Sequence, residues 1–259
     1  LLLTRFGIER LLYRLSSSEH ADRFVLKGAM LFAAWTGKLY RPTRDLDLLG
    51  FGDPSAERLV SVFRSLCHEV VEEDGVRFDA DTVSCEPIRD DQEYGGMRVR
   101  LLGFLGNARI NLQVDGGFGD AVTPEARRTE FPTLLDHPAP VVRTYPMETV
   151  VAEKFEAMVS LGMANSRMKD FYDAWILLRD FALDDRVLAQ AIGATFERRR
   201  TALPTAMPVS FTDEFVGDPM KQSQWNGFLG RSGRSADLQL TEVVAAVRQR
   251  LAPLIGLKP

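Results

Sequence analysis

The pattern of hydrophobic and polar positions predicts a mixed β-sheet with flanking helices in the first part of the chain. Residues 108–115 alternate between polar and apolar side chains, which is the period of a half-buried strand. Residues 76–88 and 95–105 also read as strands, joined by an acidic turn at 90–93. Residues 55–71 instead repeat apolar side chains at helical spacing, which predicts a helix packed on the sheet. Its apolar face consists of Leu59, Val62, Phe63, Leu66 and Val70.

Two helices are predicted in the second part of the chain. The first extends from Met147 to about Leu161, and Lys154 lies on its apolar stripe. A lysine at such a position extends to solvent or pairs with an anion, and extension is the more frequent outcome. In the second helix, Asp170 and Asp173 share one face while the aromatic side chains occupy another. We therefore expect that helix to pack by its aromatic face and to present its carboxylates elsewhere.

A proline-rich segment over residues 132–146 is predicted to connect two lobes. The chain has 259 residues, 45% of them hydrophobic, which is enough for two modest cores. We predict an α+β fold with two domains: residues 1–140 form a mixed sheet with flanking helices, and residues 141–259 form a mainly helical lobe. No apolar run is long enough to span a bilayer, so we expect a cytoplasmic protein without a membrane partner. Without a dimer-forming heptad, a monomer is the default expectation.

Two aspartates, Asp45 and Asp47, are separated by one residue inside an apolar run. In a strand, both carboxylates would point to one face, while Leu46 and Leu48 would point to the other. Two hard oxygen ligands on one rigid face suit Mg²⁺, which takes its remaining ligands from water and substrate phosphates. The alternative is an edge strand with a polar outer face.

The segment before these aspartates predicts a turn that binds phosphate. Residues 24–26 read as a short strand, Lys27 and Gly28 as a turn, and residues 29–35 as the start of a buried helix. The first turn of a helix presents free backbone N–H groups and the positive end of the helix dipole, which suits a triphosphate. Arg44 then leads into the strand that carries the two carboxylates. The sequence thus places a phosphate cradle and a metal platform in one supersecondary unit.

The charge of the chain is unevenly distributed. Residues 186–259 contain ten basic and six acidic residues, a net charge of +4. Because the whole chain has a net charge of −4, residues 1–185 have a net charge of −8. The basic part either binds a polyanion or is ordinary solvated surface. Lys221, Trp225, Phe228 and Arg231 mix basic and aromatic side chains, as a surface for a single-stranded nucleic-acid end does. A helix core containing Trp225 and Phe228 at i, i+3 is the alternative. The basic part also contains Arg198, Arg199, Arg200 and Arg234, to which the same two alternatives apply.

Three segments resemble the AbiEii family of toxin nucleotidyltransferases, in the expected order within about residues 20–180. The first is the Gly28-Ala29 turn followed by Asp45-Leu46-Asp47, although the family has Gly-Gly or Gly-Ser at the turn. The second is Glu153-Lys154, and the third is Lys169-Asp170-Phe171-Tyr172-Asp173. The resemblance implies a nucleotidyltransferase lobe over residues 1–140 and a C-terminal lobe that completes the active site.

The resemblance also implies roles for particular residues. A neighbouring strand supplies a third carboxylate in this superfamily, and Asp115 is the candidate; a turn-capping aspartate before Gly116-Gly117 is the alternative. Lys154 is implied to contact nucleotide phosphates or the transition state, with Asp170 in the active site and Asp173 as its structural partner. The catalytic candidates are Asp45, Asp47, Lys154, Asp170 and Asp115, the metal candidates Asp45, Asp47 and Asp115, and the substrate-binding candidates Lys27, Gly28, Ala29, Arg44 and Asp173.

The predicted activity is Mg²⁺-dependent transfer of an NMP from an NTP to an acceptor hydroxyl. The resemblance implies a toxin of a type IV-like toxin–antitoxin (AbiE) system that modifies the 3′ end of tRNA, with an AbiEi-like antitoxin as partner. A protein-nucleotidylating enzyme would use the same chemistry on a different acceptor. A non-catalytic module that binds NTP or a partner is the third reading, because Ala29 departs from the family's turn.

Overall fold

The computed structural model describes residues 1–37, 40–88, 96–233 and 237–258. The acidic turn predicted at 90–93 and the side chain of Arg234 lie outside the described residues. The chain forms two compact units. They consist of Leu1–Asp120 with Ala126–Tyr145, and of Ala121–Glu125 with Pro146–Pro259. The predicted division into domains at residue 140 stays a prediction.

The first unit is built on a mixed sheet. Its described strands are β1 Phe24–Lys27, β2 Asp45–Gly50, β3 Val76–Pro87, β4 Met97–Leu105, β5 Ala108–Phe118, β6 Arg127–Glu130 and β7 Val141–Thr144. Their order in the sheet is β3-β4-β5-β2-β1-β7-β6, with β2 at the centre. β2 pairs antiparallel with β1 and parallel with β5. The predicted α+β class with a mixed sheet is confirmed.

Three described helices accompany this sheet: α1 Leu2–Ser17, α2 Met30–Thr36 and α3 Ala56–Cys67. The α1 helix packs on β5, where a Cβ added to Gly7 would lie 3.0 Å from Cγ2 of Ile110 and 3.1 Å from Cδ2 of Leu112. The α3 helix begins at Ser55, whose Oγ accepts a hydrogen bond from the N–H of Arg58. It ends before Val70, which is 93% exposed, so the predicted place of Val70 on its buried face is wrong.

The alternating pattern of β2 and β5 divides the sheet into an apolar face and a polar face. Five apolar side chains on one face of these strands are almost fully buried, whereas the polar side chains between them are half-buried or exposed. Burial of alternate side chains fixes the register of both strands, because a shift by one residue would reverse every side chain. The buried set is Leu46, Leu48, Ile110, Leu112 and Val114.

The predicted connector over residues 132–146 contains structure that its proline content did not indicate. Val141–Thr144 form β7, which pairs antiparallel with β6 and parallel with β1. Tyr145 then donates its N–H to the carbonyl oxygen of Leu26 at 3.0 Å. Residues 132–145 therefore belong to the sheet unit. Proline tolerates strand ends and edges, so the prolines here lie outside the paired residues.

The second unit is helical. Its described α-helices are α4 Met147–Leu161, α5 Met168–Asp180, α6 Asp185–Arg198, α7 Asp213–Gly217, α8 Pro219–Ser232 and α9 Leu240–Leu251. The bounds of α4 agree with the prediction, and its apolar stripe is buried. Phe155 of that stripe stacks on Phe211, with ring centroids 5.7 Å apart and an interplanar angle of 5°. None of the described helices is long and apolar enough to cross a membrane.

The predicted nucleic-acid surface around Trp225 is wrong, because these side chains form part of the core of the second unit. Trp225 is 1% exposed and donates its indole N–H to the carbonyl oxygen of Leu238 at 2.7 Å. Phe228 is also buried and packs against Tyr172. Lys221 is buried as well, and its Nζ donates to the carbonyl oxygen of Asn165 at 2.9 Å. The alternative of a helix core at i, i+3 is therefore correct.

Candidate functional site

Four charged residues lie in register across four neighbouring strands of the first unit. Lys27 of β1 pairs with Asp47 of β2, Asp47 with Asp115 of β5, and Asp115 with Arg98 of β4. Directly paired residues point to the same face of a sheet, so the four side chains form one line on the polar face. We call Lys27, Asp47, Asp115 and Arg98 the polar row. Asp45 lies one pleat before it and pairs with Gln113.

The two carboxylates predicted to bind metal lie on the central strand. Asp45 and Asp47 are half-buried, while Leu46 and Leu48 between and beside them are 1% exposed. The predicted alternation is thus confirmed. The edge-strand alternative is wrong, because β2 has paired strands on both sides.

The predicted phosphate turn lies directly against one of these carboxylates. Gly28 has φ +73°, and a Cβ added there would lie 1.9 Å from Oδ2 of Asp47. Glycine is required at this position both for the backbone conformation and for the space. Ala29, at the start of α2, is 2% exposed, and its side chain packs in the core. The backbone of the turn is therefore in direct contact with the Asp47 carboxylate of β2.

The third predicted carboxylate, Asp115, is held by an arginine that the sequence analysis missed. Arg98 donates from Nε to Oδ1 of Asp115 at 2.8 Å and from Nη2 to Oδ2 at 2.7 Å. This hydrogen bonding raises the pKa of the Arg98 guanidinium further above its usual range. The turn-capping alternative is wrong, because β5 continues to Phe118 and its glycines pair with Leu48 and Leu49 of β2.

Lys27, at the opposite end of the polar row, is the last residue of β1 rather than part of the turn. Its Nζ lies 2.8 Å from Oδ2 of Asp120 and 5.1 Å from the centre of the Tyr145 ring. Asp120 was not a sequence candidate, because only the fold brings residues 27 and 120 together. Arg44 is exposed and directly precedes β2.

The face of β2 that carries Asp45 and Asp47 offers the oxygen ligands that a divalent cation prefers. Asp45 and Asp47 offer carboxylate oxygens on one face, and the absence of a side chain at Gly28 lets the Asp47 carboxylate lie directly against the backbone of the turn. Mg²⁺ is typically held by one or two carboxylates plus water and phosphate. Within the described ranges, no group of three or more His, Cys, Asp or Glu side chains is arranged to hold a metal ion.

The candidates of the second unit form a charged cluster. Nζ of Lys154 lies 2.8 Å from Oδ1 of Asp170 and 3.1 Å from Oδ2 of Asp173. Nε of Arg167 lies 2.8 Å from Oδ2 of Asp170. Of the two outcomes considered for Lys154, pairing with an anion is the one observed. The expectation that α5 presents its carboxylates away from the packed faces is also wrong, since both are at most 2% exposed.

Electrostatics explain why two buried carboxylates are tolerated there. Burial by itself raises the pKa of Asp170, but the charges of Lys154 and Arg167 outweigh it and lower the pKa to about 2. Asp170 is therefore ionised at neutral pH. Its negative charge keeps Lys154 in a fixed position.

The basic segment after α6 is partly internal. Arg199 lies 2.8 Å from Oε2 of Glu156 and 3.6 Å from Oε2 of Glu153. Thr201 donates from its hydroxyl to Oε1 of Glu156 at 2.6 Å. Neither predicted alternative describes Arg199, which is a half-buried structural residue. Arg198 and Arg200 are exposed, as is Arg231.

Comparison with known proteins identifies the family. The model of the nucleotidyl transferase AbiEii toxins of type IV toxin–antitoxin systems matches residues 10–250. The chain belongs to the AbiEii nucleotidyl transferase toxin family. The resemblance in three segments is thus confirmed, and it extends over nearly the whole chain. No curated protein matches the chain significantly.

Two solved structures share the fold of this AbiEii chain. One is JHP933 from Helicobacter pylori, with a TM-score of 0.55, 14% identity, and coverage of 98% of this chain and 91% of that chain. The other is a candidate nucleotidyltransferase from H. pylori, with a TM-score of 0.52, 14% identity, and coverage of 98% and 94%. Identities this low establish the fold alone. Nucleotidyltransferases of this family generally use a divalent metal ion.

The contact between Gly28 and Asp47 predicts that Gly28→Ala destabilises the protein more than Gly37→Ala. Gly28 and Gly37 have φ of +73° and +72°, so both substitutions carry a similar backbone penalty of about 1–2 kcal/mol. Around Gly37 there is nothing within 4 Å among the described residues, whereas at Gly28 the new methyl group meets the Asp47 carboxylate. Urea denaturation of the two variants measures the difference. Equal losses would contradict the contact.

The low pKa of Asp170 predicts that acid removes the stability this carboxylate contributes. The pKa of Asp170 is 3.8 in the unfolded state and about 2 in the folded state. As the pH falls, the unfolded state therefore binds a proton at this carboxylate before the folded state does. The contribution, about 2 kcal/mol, is therefore complete above about pH 4 and lost as the pH falls towards 2. The gap in unfolding free energy between wild type and Asp170→Asn should narrow accordingly. The exposed Asp213→Asn is the control, and a gap independent of pH for Asp170→Asn would refute the assignment.

Proposed function

We propose that this AbiEii toxin is a Mg²⁺-dependent nucleotidyltransferase that moves an NMP from an NTP to an acceptor hydroxyl, with the 3′ end of tRNA as acceptor. The observation that carries the proposal is the contact of the Gly28 turn with the Asp47 carboxylate on the central strand. It joins a site for phosphate oxygens to a site for a cation. A triphosphate bound as its metal complex needs both at the same place.

Asp45 and Asp47 are the residues that would hold the metal. They lie on one rigid face of β2, so their separation is set by the pleat rather than by a mobile loop. When bound, Mg²⁺ neutralises charge on the phosphates and on the leaving pyrophosphate. Asp115 was predicted as a third carboxylate of the site and as a metal ligand. Its pairing with Arg98 argues for a different role.

The backbone of Gly28 and Ala29 binds phosphate oxygens through N–H groups in this proposal, so it does not need the hydroxyl or second glycine of the family's turn. Lys27 adds a positive charge beside the turn. Its partner Asp120 holds the ammonium in place before the nucleotide binds. Arg44, exposed just before β2, meets the outer phosphates.

Lys154 is proposed to stabilise negative charge on the nucleotide in the transition state. Asp170 and Asp173 hold its ammonium group in position. Asp170 is then a positioning residue, and Asp173 acts with it rather than on the substrate. This assignment follows the family resemblance of Glu153-Lys154 and of the segment 169–173.

The choice of tRNA as acceptor is supported by the basic C-terminal part and by membership of a toxin family. Residues 186–259 carry net +4, although the buried Trp225 and Lys221 do not contribute a binding surface. A toxin of a toxin–antitoxin system has an antitoxin partner, and we propose an AbiEi-like protein for that role. The protein acts in the cytoplasm as a monomer in this proposal.

The proposal predicts that the purified protein transfers radiolabel from one α-³²P NTP to tRNA in the presence of Mg²⁺. Asp45→Asn should lower transfer by about 100-fold or more, since the metal loses a ligand. Lys154→Met should do so as well, because transition-state charge loses a counter-ion. Asp53→Asn, which removes an exposed carboxylate just beyond the same strand, should leave transfer unchanged.

The other possible outcomes would change the acceptor, the activity or the site. Label on protein, lost in Asp45→Asn, would replace tRNA by a polypeptide acceptor. NTP binding without transfer to either would favour a non-catalytic module. Transfer that persists in Asp45→Asn would remove the proposed site.

A further inference from the structure

Arg98 and Asp115 form a two-pronged ion pair at the end of the polar row. Two nitrogens of Arg98 lie 2.8 and 2.7 Å from the two carboxylate oxygens of Asp115. Planar pairs of this kind are among the strongest hydrogen-bonded contacts between side chains. Arg98 is on β4, which is paired on both sides, by β3 and by β5. Its backbone is therefore fixed, and the guanidinium remains beside Asp115.

The position of this guanidinium matters because two-metal sites place their second cation a few ångströms from the first. Asp115 is the in-register neighbour of Asp47, at the distance between adjacent strands. It is the carboxylate that a second cation would use together with Asp47. Both of its oxygens, however, already accept from Arg98. A divalent cation on the same oxygens would be repelled by the guanidinium of Arg98, because only the width of one carboxylate would separate the two positive charges.

The charge of Arg98 is permanent, unlike that of a bound metal ion. A guanidinium does not lose its proton at any pH a protein experiences. Hydrogen bonding to Asp115 raises the pKa of Arg98 first of all, and the charges of Asp115, Asp45 and Glu86 raise it further. Arg98 thus interacts with carboxylates on three strands. It reduces the mutual repulsion of Asp45, Asp47 and Asp115.

We propose that Arg98 takes the place of a second divalent cation, so that the site binds one cation, at Asp45 and Asp47. Asp115 then belongs to Arg98 and is not a metal ligand. Arg98 is a positioning residue that sets how many cations the polar face accepts. The inference rests on the proposed function, because it assumes that Asp45 and Asp47 hold a metal.

Counting bound Mn²⁺ by the loss of its free electron paramagnetic resonance signal tests the proposal without relying on activity. The full-length wild type should bind one Mn²⁺ that is lost in the Asp45→Asn/Asp47→Asn variant. Arg98→Gln releases Asp115 and should bind two. Adding Asp115→Asn to Arg98→Gln should return the number to one.

Arg100→Gln is the matched control. Arg100 lies two residues along β4 on the same face, and its ion-pair partner is Glu86 rather than Asp115. The variant removes the same charge from the same strand and should still bind one Mn²⁺. If it bound two, the effect would be one of net charge, and the assignment to the Arg98–Asp115 pair would fail.

The remaining outcomes separate this inference from the proposed function. Two Mn²⁺ in the wild type, both dependent on Asp45 and Asp47, would overturn the inference and leave the proposed function standing. One Mn²⁺ in a folded Arg98→Gln variant would overturn it too. No Mn²⁺ in the wild type, or binding that survives Asp45→Asn/Asp47→Asn, would remove the metal site itself and both proposals with it. The wild-type number requires no variant to fold.

Discussion

The register of β2 between β1 and β5 is the constraint on which the candidate site depends. It places Asp47 opposite Lys27 on one side and opposite Asp115 on the other. The apolar residues of β2 hold this register, because a slip of one position would bury both aspartates and expose Leu46 and Leu48. The chemistry of the polar face is therefore fixed by the packing of the opposite face. The close approach of Gly28 to Asp47 follows from the same pairing.

Each unit combines its carboxylates with permanent cations of the chain. In the sheet unit, Arg98 holds Asp115 and Lys27 holds Asp120. In the helical unit, Lys154 contacts both Asp170 and Asp173. Asp170 is the deeply buried case, and the charges of Lys154 and Arg167 lower its pKa and keep it ionised at neutral pH. On β2, we assign Asp45 and Asp47 to an exchangeable cation.

The sequence allowed the local features of the fold and site to be predicted, and the misses arise from contacts between distant segments. Alternation predicted that Asp45 and Asp47 share a face, and helical spacing predicted the bounds of α4. Nothing local indicates that Arg98 would lie opposite Asp115, because strand pairing decides it. Trp225 illustrates the same limit, since aromatic residues near basic ones suit an RNA surface and a helix core equally. The prolines around β7 predicted a connector instead of a strand. The strand forms because β7 pairs with β1 and β6, which are distant in sequence or not recognisable from it.

The central claim is that the polar face of β2 and the Gly28 turn bind the metal complex of a nucleoside triphosphate. A crystal structure with Mn²⁺ and a non-hydrolysable NTP, using the anomalous signal of manganese, tests it most directly. We expect an anomalous peak within coordination distance, about 2.2 Å, of oxygens from both Asp45 and Asp47, with phosphate oxygens at the backbone N–H groups of Gly28 and Ala29. A peak away from these carboxylates, or a triphosphate that does not contact the turn, would show that this face is not the nucleotide site.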